Sequence, residues 1–441
     1  MLNGRKFTTT HKKRGKTMKK ISLRLLCLCL ALMQCFCLFA CGEQPADPTT
    51  VATTTPATTE GTVAPTTEAT VPPTTEGEEV VNYNVLESTN PIKNVIIIIG
   101  DGMGLKHIES GMLYDGKTYD FTNWDMVRVN TYPIVDADGT LSDEPTDSAA
   151  SGTAMATGVL TANGRLGRDF NNQDLSTIMD VAKTMGKATG VVVTDSLAGA
   201  TPGAFSAHAA YRDNLNEILP SQMTSGVNLL CGFKEDSYTL IADQWRDAGY
   251  AYTEDFAGVD ATFSSEYAMW QLDMYGVDAT APLEMVTPKA LEYLSQDPDG
   301  FVLMLEQAHI DKYCHDAKIS AETKLDYVCR SVSSLNKTVE AVMQWIGDRT
   351  DTMVLVTADH ETGGLQISEK EDKYENQVTF GDTTYSYQFA GSNHTGANVA
   401  LYVYGVKADF TKSSLYAKKA LKNIGIYYLM EEALLQAQAA N

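Results

Sequence analysis

The chain has 441 residues, enough for two or three average domains, and 44% of them are hydrophobic against 20% charged. Acidic residues outnumber basic ones 56 to 34, and the nine basic residues before Cys41 leave 25 against 56 beyond it, near −31. So acidic a body repels nucleic acid and anionic surfaces, which excludes nucleic-acid binding. An anionic substrate would need cations or a placed Arg to reverse the field locally.

From Met18 a basic start leads into an apolar run over residues 25–40. That run is too short to span a bilayer comfortably and predicts a signal peptide over residues 1–41. It ends L-F-A-C-G at 38–42, which looks like a bacterial lipobox with Cys41 retained as the lipidated N-terminus. Residues 1–17 are hydrophilic and basic, so Met18 is an alternative start. Residues 42–80 are Thr, Pro, Ala, Val and Glu with few large apolar side chains, and read as a disordered tether to a folded body at 81–441. The expected location is the extracellular face of a bacterial, Gram-positive-type membrane, reached through the N-terminal lipid alone. Cys231, Cys314 and Cys329 lie in the body, an odd number without metal-type spacing, and are expected as free or buried thiols.

Within the body, apolar runs at 94–99, 190–193, 301–305, 353–356 and 399–404 alternate with amphipathic stretches at 175–185, 283–294 and 327–346. Five consecutive β-branched residues at 95–99 lack polar alternation, as in a strand covered on both faces. The alternation predicts an α/β fold, a three-layer sandwich with a mostly parallel central sheet. Residues 221–290 are less regular and aromatic-rich, and read as an insertion or lid beside the sheet.

Four of the runs end in chemistry. Asp101 follows the first, set among glycines in G-D-G-M-G, either as a phosphate-cradling loop or as a carboxylate bared toward a metal. Thr194, Asp195 and Thr201 follow the second, Glu306, Asp311 and His315 the third, and Asp359, His360 and Glu361 the fourth. Ligands bind at the carboxyl edge of parallel sheets, and four such endings exceed what helix capping requires. Asp311 and His315 share a helical face at i, i+4, and Asp359 with His360 can reach one ion from a tight loop. His394 lies in S-N-H-T-G before the last apolar run. Oxygen and imidazole ligands without thiolates suit catalytic Zn²⁺, with Mn²⁺ or Co²⁺ as alternatives. His107, His208 and His309 read as structural or as supports to the ligating residues. Ser148, in T-D-S-A-A-S-G-T-A at 146–154, is the nucleophile candidate, at a helix start where free N–H groups meet negative charge. Its plain alternative is an N-cap opening a tightly packed helix.

Six blocks together resemble the alkaline phosphatase family: I-I-I-G-D-G-M-G, T-D-S-A-A-S-G-T-A, A-T-P-G-A-F-S-A-H-A-A-Y-R, E-Q-A-H-I-D-K-Y-C-H, V-T-A-D-H-E-T-G-G-L and N-H-T-G, in family order over most of residues 90–410. The fifth block is similar to that of Gram-positive members. The resemblance implies hydrolysis of small phosphate monoesters through a phosphoserine at Ser148. It implies one Zn²⁺ on Asp311, His315 and His394, a second on Asp101, Asp359 and His360, and a third ion, normally Mg²⁺, on Asp101, Thr201 and Glu306. Arg212 would clamp phosphate oxygens bidentately, and Lys312 would reach the phosphate through water, as the resemblance to bacterial members implies. Relatives are often homodimers. One position departs: Gly199 stands where members usually carry Asp or His just before A-T-P, which leaves the third ion less securely defined. A phosphodiesterase or sulfatase on the same fold is the alternative, though no Cys/Ser-x-Pro-x-Arg motif stands near Ser148. A non-catalytic phosphate-binding surface protein would be expected to have lost ligands.

Overall fold

The computed structural model describes residues 83–88, 91–259, 265–370 and 372–440. The signal segment, Cys41 and the whole of the tether lie outside these. The body is built on an eleven-stranded sheet. In spatial order its strands are Tyr416–Ala417, Ala420–Lys422, Asp125–Asn130, Val399–Tyr404, Thr352–Thr357, Asn94–Gly100, Phe301–Gln307, Ala188–Val193, Leu229–Phe233, Tyr267–Leu272 and Tyr250–Thr253. From Thr352–Thr357 to the Tyr250–Thr253 edge every pairing is parallel, whereas Val399–Tyr404 runs antiparallel to both its neighbours. The four runs singled out for their polar endings are the four adjacent central strands, and every residue in them is buried. Continuous apolar sequence therefore reports the layer arrangement: a strand with helices on both faces has no solvent side to alternate toward.

The helices fall into two packed groups, completing the expected α/β sandwich. Ala321–Ile346 packs against Leu283–Leu294 and Leu105–Asp115, and Ser148–Thr157 packs against Ala200–Ser206 and Ile424–Ala440. Ser148–Thr157 is buried over all ten residues, and its composition explains how. A Cβ at Gly152 would stand 3.1 Å from Ala204 Cβ and 3.3 Å from Thr201 Cα. Small residues thus let the two helices approach closely and fix Thr201 beside the Ser148 helix.

The aromatic-rich region corrects the sequence reading. Instead of a lid, Leu229–Phe233, Tyr250–Thr253 and Tyr267–Leu272 extend the sheet in parallel. Trp245, Trp270 and Tyr238 are fully buried there, so the largest aromatic side chains of this region are core. Leu365–Ser368, Asn376–Phe380 and Thr383–Phe389 form a small antiparallel sheet with Thr383–Phe389 in the middle. Cys231, Cys314 and Cys329 are free and buried, as expected. Among the described residues no helix is long and apolar enough to cross a membrane.

Candidate active site

The central strands deliver their terminal residues to a single cavity of 510 Å³, lined by Asp101, Ser148, Thr201, Arg212, Glu306, Asp311, Lys312, His315 and His394 among others. Asp359 and His360 lie beneath it, fully buried. All eleven candidate side chains of the body therefore converge.

Ser148 is the first residue of its helix, but it is not the cap. Asp147 is the N-cap, accepting from Ala150 N–H (2.9 Å). Its other oxygen accepts from Gly164 N–H and from Arg212 Nη1 (2.9 and 3.2 Å). One carboxylate thus starts the helix and steers Arg212 toward the cavity. Ser148 is left free at the helix N-terminus, 4% exposed, with its Oγ 3.1 Å from His360 Nε2. Sequence reasoning missed Asp147, although its place beside Ser148 was a signal.

Hydrogen bonds fix the imidazole tautomers. Thr362 has one hydroxyl proton, which it donates to Asp311 Oδ1 (2.6 Å). It must therefore accept from His360 Nδ1–H (3.1 Å), which leaves the lone pair of His360 Nε2 facing Ser148, Asp101 and Asp359. His394 donates Nδ1–H to the Thr146 carbonyl (2.8 Å), which turns its Nε2 toward Asp311 Oδ1 at 3.4 Å; against the effect of burial, the hydrogen bond to that carboxylate raises the His394 pKa. His315 Nε2 lies 3.2 Å from the same oxygen. Histidines that bind metals are oriented in this way, with one nitrogen spent on the protein and the other presented.

The carboxylates show what the site needs. Asp101, Glu306, Asp311 and Asp359 are all buried. Burial, and then the neighbouring Asp359, push the carboxyls of Asp101 and Glu306 well above the usual range. Burial would raise Asp311 too, but hydrogen bonding with His315 and His394 outweighs it and holds that carboxyl well below. Asp101 Oδ1, Asp359 Oδ2, Thr201 Oγ1 and Glu306 Oε2 are buried without a hydrogen-bond partner among the described residues. Orphaned buried oxygens at one point are costly unless a cation completes them. Ligand atoms of Asp101, Asp359 and His360 lie within 4.8 Å of one another, and so do those of Asp311, His360 and His394. The donor set is oxygen and imidazole, which fits divalent zinc-type and magnesium-type ions.

The glycine turn has a geometric reason. Gly102 has φ +70, and a Cβ there would stand 2.8 Å from Thr362 Oγ1 and 2.9 Å from Asp311 Cβ. Gly102 N–H donates to Asp359 Oδ1 (3.0 Å). The turn therefore lets Asp101 enter between the Asp311 and Asp359 loops, and its N–H grips a carboxylate and not a phosphate. Behind it His107 is fully buried, accepts from Gly104 N–H through Nδ1 (3.0 Å) and is held down to about 4 by burial. His309 is likewise buried and accepts from Gly276 N–H through Nε2 (2.9 Å).

The sequence model of the alkaline phosphatase family matches residues 92–228 and 223–414. The chain belongs to the alkaline phosphatase family. It is 31% identical over 304 residues to alkaline phosphatase 3 of Bacillus subtilis, covering 63% of this chain and 62% of that protein. To the alkaline phosphatase of Escherichia coli K12 it is 27% identical over 399 residues, covering 73% and 83%. The solved alkaline phosphatase of the Antarctic bacterium TAB5 superposes with a TM-score of 0.66 at 23% identity, over 79% of this chain and 99% of that one. The chain spans 62% and 64% of the length of the two Bacillus subtilis alkaline phosphatases it matches.

Proposed function

We propose that this alkaline phosphatase family member hydrolyses phosphate monoesters through a phosphoserine at Ser148. The observation that carries the reading is the convergence of Ser148, Arg212 and orphaned buried carboxylate oxygens on one cavity. Asp311, His315 and His394 would hold one Zn²⁺, and Asp101, Asp359 and His360 a second. Asp101, Thr201 and Glu306 would hold a third ion, Mg²⁺ by preference; a TAB5 variant has been solved with Mg bound in its M3 site. When bound, such ions supply positive charge to the attacking and leaving oxygens and lower the pKa of the groups they touch.

The chain's own residues then have separable tasks. Arg212, oriented by Asp147, binds equatorial oxygens of the transferring phosphoryl group through its forked N–H donors. The N-terminus of Ser148–Thr157 turns free N–H groups and its dipole toward the same charge. Ser148 Oγ, giving up its proton, attacks phosphorus in line with the ester oxygen; the bond from phosphorus to that oxygen breaks, and the oxygen takes up a proton and leaves as the alcohol. Water then attacks the phosphoserine from the vacated side and returns Ser148. Lys312 stands at the cavity edge to meet the phosphate. In the folded arrangement proposed for the whole polypeptide, residues 81–441 form the catalytic body. With the signal segment removed, lipidated Cys41 and the tether would hold it outside the cell membrane.

The test is turnover of p-nitrophenyl phosphate. Native protein should hydrolyse it faster than bis-p-nitrophenyl phosphate, lose activity to a chelator and regain it with zinc. Ser148→Ala should lower kcat by at least about 10³-fold while remaining folded, since nucleophile and base effects of this kind are commonly that large. Full activity of Ser148→Ala, or a diester cleaved faster than the monoester, overturns the proposal.

A further inference from the structure

The cavity holds a carboxylate to which no role has yet been given. Asp195 follows the Ala188–Val193 strand, and its Oδ2 lies 2.5 Å from Lys312 Nζ. Its side chain is 15% exposed, against 40% for Lys312, and both line the same cavity as Ser148 and Arg212.

Both ends of the pair stand on anchored backbone. The Asp195 carbonyl accepts from Phe233 N–H on the neighbouring strand (2.8 Å). Gly232 is the residue that allows this approach, since a Cβ there would stand 3.0 Å from that carbonyl oxygen. The preceding Thr194 uses its Oγ1 to accept from Ala308 N–H (3.0 Å) and sits 3.1 Å from Gln307 Oε1. Ala308 leads directly into the His309–His315 helix that carries Lys312. The loop bearing Asp195 and the helix bearing Lys312 are therefore tied together immediately beside the ion pair.

Residue 199, by contrast, has no room for a functional side chain. Gly199 N–H closes a turn on the Ser196 carbonyl (2.9 Å), and a Cβ at 199 would stand 2.8 Å from that oxygen. In this turn only the backbone of residue 199 fits, while Asp195, four residues earlier, reaches the cavity.

We propose that Asp195 is a positioning residue for Lys312, holding its ammonium at the cavity edge and limiting how strongly the site retains free phosphate. This inference rests on the phosphomonoesterase reading above. An ammonium 2.5 Å from a carboxylate has spent one charge-assisted hydrogen bond there and presents less charge to an anion. Released from Asp195, the flexible Lys312 side chain swings to the phosphate and forms that bond with it instead.

The experiment is direct titration of inorganic phosphate by calorimetry into zinc- and magnesium-loaded protein. It compares native, Asp195→Asn, Lys312→Met and the double variant, with metal content measured in each. Asp195→Asn is expected to bind phosphate about tenfold tighter, the worth of one such bond, with unchanged metal content. In the Lys312→Met background the same change should alter phosphate affinity about twofold or less, because no ammonium remains to release. Asp195→Glu, which keeps the carboxylate, should return to within about threefold of native affinity. Should Asp195→Asn fail to fold, Asp195→Ser is read in the same cycle. No tightening, or equal tightening in both Lys312 backgrounds, overturns the inference while leaving the phosphomonoesterase reading intact. A native protein that binds no phosphate overturns that reading, and the inference with it.

Discussion

Asp101→Asn should reverse its effect on stability according to whether metal is present. Asp101 is 7% exposed, and Asp359, Asp311 and Glu306 all disfavour its charge. In metal-free protein its folded pKa is raised, so the unfolded state ionises more readily. Stability is then full below the unfolded carboxyl pKa and is lost as pH rises through the folded one. At pH 8, above the unfolded carboxyl pKa, keeping this carboxyl buried works against folding whichever protonation state it takes, and the isosteric amide removes that cost, worth about 1–3 kcal/mol for a buried unsatisfied group. With zinc the balance inverts. A unit charge about 4 Å from another is worth about 4 kcal/mol at an effective dielectric constant near 20. That is about a thousandfold in affinity, and by mass action about 4 kcal/mol of zinc-linked stability at free zinc a thousand times the native Kd. Scanning calorimetry at pH 8, with chelator and with buffered zinc, should show Asp101→Asn above native without metal and below it with metal. Metal analysis should show two ions lost, because Asp101 faces both the His360–Asp359 group and the Thr201–Glu306 pair. A variant destabilised in both conditions, or one that loses a single ion, would refute this electrostatic picture.

Gly102→Ala should cut kcat by more than about tenfold, since its Cβ meets Asp311 and Thr362 in a left-handed backbone and a 1 Å displacement there is expensive; steady-state kinetics with zinc saturating would check it. Arg212→Ala should raise KM for p-nitrophenyl phosphate and weaken phosphate inhibition by about 10–100-fold, because two charge-assisted bonds are lost while Asp147 still caps the helix. His107, held down to about 4 by burial, is neutral in the fold. Its contribution is present above the unfolded pKa near 6.5 and lost as pH falls from there toward 4. Urea unfolding at pH 7 and pH 4.5 should therefore show lower stability in acid, with a smaller difference in His107→Asn.

Much of this was legible in the sequence because burial on both faces leaves an unmistakable mark. The runs that became Asn94–Gly100, Phe301–Gln307, Ala188–Val193 and Thr352–Thr357 are apolar without alternation, and each stops at a polar residue on the ligand-binding edge. Strands Leu229–Phe233 and Tyr267–Leu272 were hidden for the converse reason. They carry aromatics where the central strands carry Val and Ile, and owe their strand state to pairing with a sheet already formed. Single residues with short-range partners, such as Asp311 and His315 on one helical face, could be paired in advance. Asp147 with Arg212, Thr362 with Asp311, and Asp195 with Lys312 could not, because each pair is joined only by the fold. The glycine turn at 100–104 admitted two readings, and the contacts of Gly102 with Asp359, Asp311 and Thr362 favour the metal-directed carboxylate.

Trapping the covalent intermediate tests the central proposal most directly. Protein mixed with a ³²P-labelled monoester and quenched in acid, where dephosphorylation is slow, would be digested and the labelled peptide sequenced. Hydrolysis through Ser148 predicts one labelled phosphoserine per active chain at Ser148, and none in Ser148→Ala. Rapid monoester turnover with no label on the chain, or label on another residue, would contradict it.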